Sequence, residues 1–122
     1  MQSNTFAGRL ADAPALRRTA SGAVCRFTLI SNEYAGKDDN NNSLERAVRV
    51  QFVAFNKKGE AIAENCRRGD QLIVQWSLRN NDYQDSKTGE TVYGFDFRVE
   101  DFEFGAPGSI KRAELQERQG AN

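Results

Sequence analysis

From Gln71 to Phe104 apolar and polar residues alternate along two long arms joined by a polar turn. In the first arm Leu72, Val74, Trp76 and Leu78 alternate with Ile73, Gln75, Ser77 and Arg79. In the second, Tyr93, Phe95, Phe97 and Val99 alternate with Gly94, Asp96, Arg98 and Glu100. A period of two predicts a half-buried antiparallel hairpin, with Leu72–Leu78 and Tyr93–Val99 supplying the core. After Glu100 the apolar positions move to Phe102 and Phe104. A slip of one residue turns side chains to the opposite face, which predicts a bulge or sharp bend near Glu100–Asp101.

The same reading places a strand at Thr5–Leu10, interrupted by Gly8, where a strand bends or approaches another backbone. Ala11–Gly22 reads as a loop. A second strand runs over Ala23–Ser31, with Ala23, Cys25, Phe27 and Leu29 in one phase and Val24, Arg26, Thr28 and Ile30 in the other. Asn32–Glu45 is polar throughout apart from Tyr34 and Leu44, the composition of a mobile loop. In the strand Arg46–Phe55, Val48, Val50, Phe52 and Ala54 form one face, with Arg49, Gln51, Val53 and Phe55 opposite. Asn56 is placed to cap a short helix ending near Arg67 and stopped by Gly69. The predicted class is all-β with one short helix: a five-stranded OB-fold barrel over residues 1–105, whose long hairpin is strands four and five. Residues 106–122 read as a short polar tail, flexible or weakly helical.

The 122 residues hold 17 basic and 17 acidic side chains and no histidine, so bulk charge does not drive binding to polyanions. The charge is segregated, however. Residues 46–79 carry Arg46, Arg49, Lys57, Lys58, Arg67, Arg68 and Arg79 against three acids, a net of +4. The segment 80–104 carries seven acids against Lys87 and Arg98, a net of −5. Such segregation predicts a basic face. Cys25 and Cys66 have neither zinc-site spacing nor a disulfide framework, and read as buried free thiols of a cytoplasmic protein. Neither a signal peptide nor a membrane-length apolar run stands out.

Catalysis finds little support: the commonest general base is missing, and neither thiol has a partner in sequence. No metal or other cofactor is expected, and Asp96 and Glu100, with Arg98 between them, read as a solvated ladder of charge. Binding is better supported. Single-stranded nucleic acid needs flat side chains on which bases stack and cations that follow the backbone. Phe55 and Arg49 share a strand face, while Tyr34 and Tyr83 stand in polar loops with little to pack against.

Several stretches resemble the bacterial-type single-stranded DNA-binding protein family: NTFAGRL, SGAVCRFTL, VRVQFVAFNK, RRGDQLIV and LRNNDYQD followed by TGE and YGFDFRV. Order and spacing carry the likeness over about residues 4–104. The resemblance implies a non-enzymatic domain that coats single-stranded DNA during replication, recombination or repair. It places stacking positions at Tyr34, Phe55 and Tyr83, and a fourth at Arg49, whose guanidinium can also stack on a base. Arg9, Arg26, Lys57, Lys58 and Arg79 would follow the phosphates. It further implies a homo-oligomer, dimer or tetramer. The family's Gly/Pro/Gln-rich linker and acidic tip have no counterpart in SIKRAELQERQGAN, so partners recruited through such a tail are not expected. Trp76 stands where the family commonly has glycine, as core or subunit interface. The alternatives are a primosomal relative acting through helicase contacts, and a protein-interaction barrel with no nucleic-acid role.

Overall fold

A computed structural model describes residues 4–120. The chain runs β1 (Asn4–Leu10), β2 (Ala15–Thr19), β3 (Gly22–Lys37), β4 (Ser43–Phe55), α1 (Asn56–Asn65), β5 (Gln71–Asn80), β6 (Tyr83–Gln84), β7 (Thr91–Val92), β8 (Phe95–Phe104) and α2 (Ser109–Gly120). Five strands close in the order β1-β5-β8-β4-β3, and β1 pairs back onto β3. All neighbours are antiparallel except β4 and β8, which run parallel over Phe52↔Phe97 and Val53↔Arg98. This is the expected OB-fold barrel, with two helices in place of one.

Closure brings backbones close together, and Gly8 serves that purpose: a Cβ there would lie 2.8 Å from the Ile30 carbonyl oxygen. Inside, Leu10, Cys25, Phe27, Leu29, Phe52, Ala54, Leu72, Val74 and Val99 are buried. The Phe52 ring is the hub, 5.6 Å from Phe6, 5.8 Å from Phe27 and 6.2 Å from Trp76. Helix α1 packs on this core through Ile62 and Gly59. A Cβ on Gly59 would stand 2.6 Å from the Ala54 carbonyl oxygen, so only glycine lets the helix sit this low.

The predicted phase slip is a bulge. Gln75 pairs with Asp101 and Trp76 with Val99, which leaves Glu100 as the extra residue on β8. Other expectations are corrected. Leu78, Tyr93 and Phe95 are 37%, 77% and 63% exposed. Tyr93 and Phe95 lie past the Leu78↔Phe97 rung, beyond which alternation has no core to face, and Leu78 is only partly covered at that rung. The stretch 32–45 is not a loop: β3 and β4 stay paired through Tyr34↔Glu45 to Lys37↔Ser43. A ladder projecting from the barrel is solvated on both faces, which removes the alternation that marks a half-buried strand. The loop 11–22 contains β2, an edge strand with every residue exposed.

Asn56 does not cap α1. Its backbone is left-handed at φ 57°, and its side-chain oxygen accepts the Ala23 N–H at 3.2 Å. The helix ends at Asn65, where the Cys66 N–H donates to the Ile62 carbonyl. The C-terminal stretch is helical over Ser109–Gly120 despite its thin apolar content, because polar bonds anchor it. Gly108 N–H donates to Asp70 at 2.7 Å, Lys111 to the Asn65 carbonyl at 2.6 Å, and Arg67 pairs with Glu114 at 3.1 Å. No helix among the described residues is long and apolar enough to cross a membrane.

Candidate nucleic-acid interface

Strand register aligns residues of the phase opposite the core into rows across the barrel, with Val53 and Ser77 covered and the arginines exposed. One row is Arg9, Ile30 and Arg49, from β1, β3 and β4. A second is Arg26, Val53, Arg98 and Ser77, from β3, β4, β8 and β5. Val24 and Phe55 oppose each other at the end of β4. The rows of Arg49 and Arg26 are separated by four residues along β4, roughly 13 Å at strand rise. That outer face is therefore basic, with Phe55 at one end.

The short β4–β8 seam shapes the surface. On one side of it the strands splay, opening a cleft of about 210 Å³ between Arg26, Arg49 and Gln51 and the facing Phe95, Asp96 and Phe97. On the other side, a shallow groove of about 410 Å³ holds Phe55, Lys57, Lys58, Arg98 and Glu100. Arg98 lies with its guanidinium carbon 4.7 Å from the Phe55 ring centre, a cation–π contact. α1 begins in this groove, and no side chain caps its first N–H groups.

Glu100 organises the charges. As the bulge residue its carboxylate accepts the Ser77 hydroxyl at 2.6 Å and Arg79 at 3.2 Å. These bonds, the Ser77 hydroxyl foremost, hold its carboxyl below the ordinary range. Its backbone carbonyl accepts a hydrogen bond from the Lys58 ammonium. The solvated ladder expected of Asp96, Arg98 and Glu100 is thus not formed: Glu100 pairs with Arg79, and Arg98 rests on Phe55.

The expected site residues divide into three groups. Arg26 and Arg49 meet in the cleft; Phe55, Lys57 and Lys58 meet in the groove. Arg9 belongs to the Arg49 row, though its guanidinium donates to the Gly69 carbonyl at 2.9 Å, and Arg79 is held by Glu100. Tyr34 and Tyr83 are 67% and 59% exposed and line neither depression. Tyr34 projects on the β3–β4 ladder, and Tyr83 pairs with Val92 in the small β6–β7 sheet. Arg98 and Phe95 are site residues that the sequence pattern assigns elsewhere, to a charge ladder and to the core. Alternation turns Arg98 outward, but a parallel pairing with a strand 45 residues earlier leaves no local signal.

Both cysteines are free and buried, and burial pushes each thiol up to about 11. Among the described residues no group of histidine, cysteine and acidic side chains is placed to hold a metal ion.

The chain is similar to several curated proteins over most of its length. It is 37% identical over 99 residues to the "Single-stranded DNA-binding protein" of Clostridium perfringens, covering 80% of this chain and 61% of that protein. It is 33% identical over 87 residues to the "Single-stranded DNA-binding protein 1" of Chlorobaculum tepidum, covering 70% and 53%. The relative from Borreliella burgdorferi is 28% identical over 110 residues, covering 89% and 72%. The chain thus spans little more than half the length of the first two. Residues 1–105 match the family described as "Single-strand binding protein family". That match takes in every strand of the barrel and stops short of α2, so the chain belongs to the single-strand binding protein family.

Proposed function

We propose that this barrel binds single-stranded DNA, largely without sequence preference, and coats it during replication, recombination or repair. The observation that carries the reading is the outer face along the β4–β8 seam, where Phe55 shares a groove with Arg98, Lys57 and Lys58, and Arg26 and Arg49 line the cleft on the other side. Bases gain by stacking on an aromatic ring, and the cations follow the phosphates between them. Arg9 and Arg79 extend the basic face, while Tyr34 and Tyr83 reach a strand from arms that leave the barrel. No step of chemistry is required, and the family membership and the names of the relatives support the same reading.

A homo-oligomer in the cytoplasm completes the proposal. The free edge of β2, which carries Leu16 at 37% exposed, offers a surface on which a second copy pairs. Titration of the protein with a labelled oligothymidine at low salt tests the function. Binding is expected to weaken as salt rises, since neutralised phosphates release counterions. Failure to bind at low salt overturns the reading.

A further inference from the structure

Phe55 is only partly exposed, and it lines the groove on the Lys57 and Lys58 side of the seam. Arg98 stands in the same groove, and its guanidinium rests 4.7 Å from the centre of that ring. The ring surface that gives onto the groove is therefore occupied in the free protein. Glu100, in the same groove, makes its hydrogen bonds to Ser77 and Arg79 and acts on Arg98 only through a weaker charge attraction. Among the described residues Arg98 has no ion pair of its own, and its side chain is solvent-exposed.

We infer that Arg98 is an exchangeable cap on the Phe55 platform: an arriving base takes its place on the ring, and the freed guanidinium moves to the adjoining phosphate. The inference rests on the proposed binding of single strands and adds a residue and a sequence of events to it. A cation–π contact at an exposed site is weaker than base–aromatic stacking, so the base wins the ring. A guanidinium carries its donors in a planar fork, and a phosphate oxygen pair satisfies them better than the aromatic face does. The backbone of a strand whose base is on Phe55 passes Lys57 and Lys58, within the groove Arg98 already shares. Arg98 thus does two jobs in turn. It shields the ring from water until a base arrives, then adds one charge to the phosphate track.

A salt series separates this from other roles. Wild type, Arg98→Ala and Arg98→Lys are titrated with a labelled oligothymidine over rising salt. One phosphate contact contributes about 0.7 to the slope of log K against log salt on a single strand. Arg98→Ala is expected to lose about that much slope, binding more weakly than wild type at low salt and converging with it or overtaking it at high salt. Arg98→Lys keeps the charge and is expected to keep the slope. An unchanged slope in Arg98→Ala overturns the inference, whatever happens to affinity. Equal slope loss in Arg98→Ala and Arg98→Lys also overturns it, since the phosphate contact would then not follow the charge. Both results presuppose a wild type that binds; a wild type that does not bind rejects the underlying function instead. Matching circular dichroism melts confirm that the variants are folded.

Discussion

Replacing Phe55 by alanine tests whether the outer face binds bases or only phosphates. Stacking of one base on an aromatic side chain contributes about 1–3 kcal/mol. The ring does not wait bare, since Arg98 lies on it at 4.7 Å. An exposed cation–π contact is worth about 0.5–1 kcal/mol, and a base must forgo it. Taking the middle of each range, the net loss in Phe55→Ala is about 1.25 kcal/mol, roughly an eightfold weaker binding of oligothymidine. Because the ring bears no charge, the slope of log K against log salt is expected to stay that of the wild type. Fluorescence anisotropy over a salt series reads both quantities, with the double variant Phe55→Ala/Arg98→Ala beside it. In that double variant the loss is expected to exceed the sum of the single losses by the cation–π contact, about 0.5–1 kcal/mol, since each single variant also spares the strand the cost of breaking it. Binding within twofold of wild type, or a slope that falls with the ring, would show that Phe55 stacks no base.

Three further outcomes follow from particular residues. Tyr83→Ala is expected to weaken oligothymidine binding by about 1–3 kcal/mol, whereas Lys87→Ala in the same loop costs less than about one phosphate contact; equal effects would show that the arm contributes charge alone. Cys25 and Cys66, raised to about 11 by burial, are expected to resist a thiol reagent in the native protein and to react once denaturant unfolds it; fast labelling of the native protein near neutral pH contradicts the buried placement. Glu100 has a depressed folded value, so its contribution to stability is present above the ordinary carboxylate value and lost as pH falls through the depressed one. Its side chain is 45% exposed, and solvent screening leaves only a few tenths of a kcal/mol, about the scale of an exposed pair. Urea midpoints of wild type and Glu100→Gln should differ slightly near neutral pH and converge in acid; a gap constant with pH counts against the Ser77 and Arg79 bonds.

Periodicity made the barrel legible wherever one face of a strand meets the core. Ala23, Cys25, Phe27 and Leu29, Phe52 with Ala54, and Leu72 with Val74 all follow the alternation and are buried. The reading failed where that condition lapsed. The far half of the β3–β4 ladder and all of β2 have no buried face, so nothing in their composition separates them from loop. Tyr93 and Phe95 show the converse error, since they keep the beat of the strand after the barrel beneath it has ended. α2 was hard to read for a third reason. Its anchors are Asp70, Asn65 and Arg67, residues that a search for an apolar stripe passes over.

The site was legible in its parts and not in its assembly. Phe55, Arg49 and Arg26 could be picked as outward residues of their strands, but their common face depends on which strands become neighbours. The bulge shows how much turns on that. Read along the chain, the slip after Glu100 is only a change of phase. In the fold it frees Glu100 from the ladder, aims its carboxylate at Ser77 and Arg79, and leaves its carbonyl to Lys58. Two cations of the face are thereby held in place, and Arg98 is left to the Phe55 ring. Counting charge by segment gave the opposite picture, because 80–104 sums to −5 and reads as a stretch that would turn away from a polyanion. Yet that segment walls both depressions, the cleft through Phe95 and Asp96 and the groove through Arg98. Pairing one strand against a neighbour in the opposite charge class lets an acidic stretch place a single arginine where a basic face has its aromatic ring.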